Sequence, residues 1–82
     1  MRTIFSRKFN KAYDKAPQAI RYAFQERLDL FLNNPQHPLL RNHALKGEYQ
    51  GCRSISVTGD WRALYKEKDD NVILFIAVGT HS

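Results

Sequence analysis

Asp60 and His81 are the residues of this 82-residue chain whose types suit proton transfer at a phosphate. Arg53 and Arg62 flank Asp60 in sequence and could hold the phosphate itself. Histidine titrates close enough to neutral pH to act as base or acid. Arginine matches phosphate oxygens with paired donors and keeps its charge. The chemistry open to such a set is RNA cleavage by transesterification. The ribose 2′-hydroxyl attacks the adjacent phosphorus. A base takes its proton, an acid protonates the leaving 5′ oxygen, and a cation holds the extra charge on the phosphorane. Side chains can perform all three tasks, so no metal or other cofactor is expected. One cysteine and three scattered histidines offer no ligand cluster of the usual spacing.

Each of these residues also has a plainer role open to it. His81 stands one residue from the end of the sequence and fits an idle terminal residue. Asp60 fits a turn stabiliser, a task Asp often has. Arg53 fits a side chain that lays its stem beside core residues. Trp61 and Tyr65 suit the core or a sheet face better than a stacking platform for bases. His43 reads as a solvated loop histidine, His37 lies between prolines and is assigned nothing, and Cys52 reads as a small buried hydrophobe.

The elements that must position these residues follow from the hydrophobic pattern. Residues 2–6, "RTIFS", suit a short first strand. In "RKFNKAYDKA", Phe9 and Tyr13 stand four apart and make one stripe of a short helix with lysines outside it. Pro17 suits the first turn of a second helix, where its missing N–H costs nothing. Ile20, Phe24, Leu28 and Phe31 or Leu32 then follow helical spacing, and Pro35 disfavours helical geometry at Asn34. Residues 35–50 show neither period and read as a loop, with turn chemistry at Pro35, Pro38 and Gly47. In "CRSISV", Ile55 and Val57 alternate with Ser54 and Ser56. "TGD" is a turn, "WRALYK" a second strand of this group, "EKDDN" a polar turn, and "VILFIAV" a strand apolar at every position, as one covered on both faces would be.

The pattern predicts an α+β fold in one domain spanning residues 1–82. An N-terminal strand and an αα-hairpin pack on one face of a mainly antiparallel four-stranded sheet. In an antiparallel meander the end of the last strand returns to the edge where the first turn lies. Asp60 and His81 are therefore expected on one rim, with Arg53 and Arg62 projecting from strands that feed it.

Composition narrows the class. A chain of 82 residues, 43% of them hydrophobic, can bury one small core. It has no apolar run near the ~20 residues of a membrane span, and its start lacks a secretory h-region. With a single cysteine, this favours the cytoplasm. Thirteen Lys and Arg oppose eight Asp and Glu, a net charge of +5. The front is most skewed: residues 1–27 hold Arg2, Arg7, Lys8, Lys11, Lys15, Arg21 and Arg27 against Asp14 and Glu26. That balance suits a polyanionic partner, nucleic acid or an acidic protein, and equally a solvated basic face.

The second half of the chain adds an ordered set of motifs: "H-x-L-K-G" from His43, "G-x-R" from Gly51, "D-W-R-x-x-Y-K" from Asp60, and "G-T-H-S" from Gly79. This set resembles RelE/ParE-superfamily toxins of bacterial type II toxin–antitoxin systems, and is most similar to the YafQ-like branch of messenger-RNA interferases. The resemblance implies an endoribonuclease that cuts messenger RNA in the ribosomal A site and is silenced by a co-expressed acidic antitoxin. It implies catalytic roles for His43, Asp60, His81 and Arg53. Lys46, Arg62 and Tyr65 are then expected to contact RNA. Two departures stand out. The YafQ-like histidine four residues before the aspartate is Ser56 here, and relatives continue a few residues past "GTHS".

Two other functions fit the same fold. One is a ParE-like gyrase inhibitor, which acts by binding and has no use for His43, Asp60 and His81. The other is a catalytically weak module that binds only RNA or its antitoxin, favoured by Ser56 and the short tail.

Overall fold

Ser6 joins the first strand to the first helix. In the computed structural model, which describes residues 1–80, its Oγ accepts the Phe9 N–H at 2.9 Å and donates to the Ile76 carbonyl at 3.0 Å. One hydroxyl thus caps helix α1 (Arg7–Lys15) and ties its start to the sheet. Strand β1 (Arg2–Phe5) precedes it. Helix α2 (Gln18–Asn33) follows, and Pro17 stands just before it rather than in its first turn. The Pro17 carbonyl accepts from Ile20 and Arg21, so the proline fixes the start from outside. Tyr13 Oη donates to the Arg21 carbonyl at 3.1 Å and closes the αα-hairpin.

Strands β2 (His43–Ala44), β3 (Arg53–Ser56), β4 (Trp61–Asp69) and β5 (Val72–Thr80) complete a sheet ordered β1-β5-β4-β3-β2. β1 lies parallel to β5, and every other pairing is antiparallel. The sheet has five strands where the sequence predicts four. The added strand is β2, from the segment read as a loop: His43 pairs with Ser54, and Ala44 with Arg53. Two exposed residues pair through backbone alone and leave no hydrophobic pattern to read. The polar "EKDDN" also differs from expectation, since β4 runs on to Asp69 and the turn shrinks to Asp70 and Asn71.

The helices cover one face of the sheet. Phe9, Phe24, Phe31 and Phe75 are fully buried there with Ile55, Val57 and Leu40. Their rings meet edge-on or tilted, Phe24 on Phe75 at 5.5 Å and 90°, Phe9 on Phe24 at 5.3 Å, geometries that suit aromatic quadrupoles. The register of β4 on β5 shifts between Leu64 and Tyr65, leaving Ile76 as an extra residue in the ladder. That bulge turns Phe75 and Val78, three apart, into the same core. The Ile76 carbonyl it leaves over is the one that accepts Ser6 Oγ. The opposite face of β5 carries Val72, Leu74 and Ala77 and stays half-exposed. The expectation that this strand is covered on both faces is therefore corrected: its apolar residues on the second face border an open surface.

Candidate active site on the open face of the sheet

Alternation along the strands sorts the chemistry-bearing residues onto two faces. Ser54 pairs with His43 on one side and with Leu64 on the other, and Leu64 pairs with Ala77. Paired residues share a face, so these four form a row across the open face. The next row is Ser56, Arg62 and Gly79. His43, Ser54, Arg62, Leu64, Ala77 and Gly79 line a groove of about 550 Å³, with Leu45 and Tyr49 at its edge. Gly79 has no neighbour within 4 Å where a Cβ would stand, so the groove is open beside Arg62.

The backbone before His43 sets its ring. Arg41 takes the left-handed conformation (φ 48°), the only non-glycine residue among those described with positive φ. This turns the chain out of the 3-10 turn Pro38–Leu40 and into β2. The Arg41 carbonyl then lies 2.8 Å from His43 Nδ1. A carbonyl only accepts, so Nδ1 carries a proton and Nε2 of the neutral ring holds the lone pair available for proton transfer. His43 is exposed.

Arg62 gathers the β3–β4 turn. Its Nη1 donates to the carbonyls of Thr58, Gly59 and Trp61 at 2.9–3.1 Å. Thr58 Oγ1 accepts the Trp61 N–H at 3.2 Å, and Ser56 Oγ donates to the Thr58 carbonyl at 2.9 Å. Asp60 stands exposed at the end of this turn and supplies none of these bonds. Thr58, Arg62 and Ser56 hold the turn, so the turn-stabilising role open to Asp60 is already filled. Arg62 meets only neutral carbonyls among the described residues, so its positive charge is unpaired where it lines the groove.

Arg53 lies elsewhere. It pairs with Tyr65, three residues from the Asp60 end of β3, and shares the helix-side face with buried Ile55. Its Nε donates to Asn42 Oδ1 at 2.8 Å. Asn42 Nδ2 in turn donates to Tyr65 Oη at 2.7 Å and to the Pro35 carbonyl at 3.0 Å. These bonds pin the segment after α2 to the sheet. The arginine read as feeding the rim is thus a brace on the opposite face. Tyr65 is 2% exposed, with its ring 4.9 Å from Phe31 and 5.7 Å from Phe75. Buried in the helix-side core, it is closed to a base. Lys46 is exposed where the 3-10 turn Gly47–Tyr49 begins. His81 lies outside the described residues; Thr80, which precedes it, pairs with Trp61 next to Asp60.

Sequence reasoning missed Leu45, Tyr49, Ser54, Leu64, Ala77 and Gly79 as groove residues. The signal for four of them was the alternation itself, since Ser54, Leu64, Ala77 and Gly79 sit out of phase with the core. Tyr49 had no such signal.

A five-stranded sheet backed on one face by an αα-hairpin and open on the other defines an α+β fold, and comparisons place the chain within a family. The family model for the bacterial toxin of type II toxin–antitoxin systems, YafQ, matches residues 1–82. The chain therefore belongs to the YafQ family, in the RelE superfamily of toxins. Among solved structures it is similar to YafQ from E. coli strain BL21(DE3), with 26% identity and a TM-score of 0.82 over 99% of this chain and 94% of that one. It is also similar to YafQ in the E. coli DinJ–YafQ toxin–antitoxin complex, with 25% identity and a TM-score of 0.77 over 96% and 90%. The YoeB/ParE toxin from Agrobacterium tumefaciens shares the fold at 16% identity, with a TM-score of 0.82 over the whole of both chains. No curated protein matches the sequence.

Proposed function

We propose that this type II toxin is a ribosome-dependent endoribonuclease that cuts messenger RNA by acid–base transesterification. The observation that carries the reading is the meeting of His43 and Arg62 in one groove, with His43 Nδ1 tied to a carbonyl. That bond leaves Nε2 to take the 2′-hydroxyl proton. The 2′ oxygen forms a bond to phosphorus, and the P–O5′ bond breaks. A 2′,3′-cyclic phosphate and a 5′-hydroxyl result. Arg62 holds the charge that builds on the phosphorane oxygens, in place of Arg53. Nη1 anchors the group on three carbonyls, and Nη2 and Nε are the donors left for the phosphate. Asp60, exposed and unused by its own turn, orients a histidine or shares proton transfer. His81, joined directly to Thr80, is the group assigned to protonate the 5′ oxygen. Lys46 adds positive charge beside the groove for the RNA backbone.

The antitoxin is proposed to be an acidic chain that wraps the basic surface in an extended or helical segment. The E. coli YafQ relative is solved in a toxin–antitoxin complex with DinJ, and residues 1–27 here carry seven basic side chains against two acidic ones. The experiment is messenger-RNA cleavage on translating ribosomes. New 5′-hydroxyl ends are expected. Supercoiling inhibition without cleavage would point instead to the gyrase-binding function.

A further inference from the structure

The groove has an apolar end that proton transfer does not use. Tyr49 is 39% exposed and lines the groove with Leu45 and His43. Its position is built. Gly47 (φ +69°) and Gly51 (φ +94°) bracket it, both in the left-handed region where a side chain is strained. The segment between closes on itself: Leu45 N–H donates to the Cys52 carbonyl, Gln50 to Gly47, and Cys52 to Tyr49, each at 3.0 Å. The phenol makes no hydrogen bond to another described residue.

We infer that Tyr49, backed by Leu45, is the platform on which one nucleobase of the RNA stacks, the base flanking the phosphate held between His43 and Arg62. This rests on the ribonuclease reading of the same groove. The occupant follows from the lining. One end of the groove carries an imidazole and a guanidinium, suited to a phosphate. The same groove offers the exposed ring of Tyr49 and the aliphatic side chain of Leu45, suited to a flat π-face. A single nucleotide carries both halves, a phosphate and a flat base. A ring used this way discriminates little between bases by hydrogen bonding, because every base has a face to stack. Tyr49 is a positioning residue: it sets the sugar and phosphate against His43.

The test is a cycle of two changes. A short single-stranded RNA, made uncleavable by a 2′-deoxy sugar at the scissile position, is titrated at low salt into wild type, Tyr49→Ala and Tyr49→Phe. The same RNA is also used with an abasic residue beside that sugar, placed in turn on either side. Tyr49→Ala should weaken binding roughly ten- to a hundredfold, the usual loss for one base–aromatic stack. Tyr49→Phe should stay within about threefold of wild type, since the ring and not the hydroxyl is used. One of the abasic RNAs should lose as much on wild type, and lose nothing further on Tyr49→Ala. Equal losses in Tyr49→Phe and Tyr49→Ala, additive losses in the cycle, or absence of any binding would each overturn the platform. Cleavage by wild type on ribosomes is scored separately. A coupled cycle without cleavage rejects the ribonuclease reading and keeps the platform; cleavage with an uncoupled cycle does the reverse.

Discussion

His43 and Arg53 show how one backbone bond or one face decides a residue's work. His43 is exposed and tied by a single ring nitrogen, so His43→Ala removes a proton acceptor while leaving the core intact. Arg53 is held by Asn42 against the helix-side face. Arg53→Ala should therefore lower stability by about 1–3 kcal/mol, the range for a charged hydrogen bond and the partner it strands. Its cleavage rate per folded molecule should stay near wild type. Urea melts read beside single-turnover rates would check this. A large rate loss without loss of stability would return Arg53 to the site. Arg62→Ala should do the opposite, weakening RNA binding and slowing cleavage, with a smaller cost to folding from the loosened turn. The exposed place of Asp60, just before β4, was legible from the turn "TGD". Motif order put Arg53 and Tyr65 with the site, but it carries no strand phase: Arg53 shares the buried face with Ile55, and Tyr65 with Ala63, the core position that alternation also offered Tyr65.

At the scale of elements, hydrophobic period made both helices and the strands β1, β3, β4 and β5 legible. Ile20, Phe24, Leu28 and Phe31 pack as their spacing requires, and Ile55 and Val57 enter the core together. Strand β2 was not legible, because His43 and Ala44 join the sheet by backbone bonds and bury nothing. Nor was the bulge at Ile76, which an all-apolar run conceals. The open face they frame can be blocked at Gly79. A Cβ there meets no atom within 4 Å, and glycine inside a strand is a weak choice for stability. Gly79→Leu should melt within about 0.5 kcal/mol of wild type or slightly above it, yet lose RNA binding as the side chain fills the space beside Arg62. Unaltered RNA affinity in a folded Gly79→Leu protein would place the RNA elsewhere. Gly47→Ala, at φ +69°, should cost about 1–2 kcal/mol.

Across the whole molecule, helices and groove divide the work. No helix among the described residues is long and apolar enough to cross a membrane. The helices cover one sheet face and carry much of the basic excess; the other face stays open. Charge was legible from composition, but its division between the helices and the open sheet face was not, since that depends on which sheet face the helices cover. Binding of an acidic antitoxin to the basic surface should weaken as salt rises, because separated surface charges are screened beyond ~8 Å at physiological ionic strength. Affinity independent of salt would exclude charge as the attraction. With side chains performing all three catalytic tasks, a chelator should leave cleavage unchanged once ribosome integrity is controlled; activity lost with chelator and restored by a divalent ion would require a metal step. The most direct test of the groove as a ribonuclease site is single-turnover messenger-RNA cleavage by His43→Ala, measured beside its melting curve. Loss of about 10²–10⁴ in rate, the usual worth of a general acid or base, with an unchanged melting temperature is the expected result. A wild-type rate would remove His43 from the chemistry and contradict the mechanism.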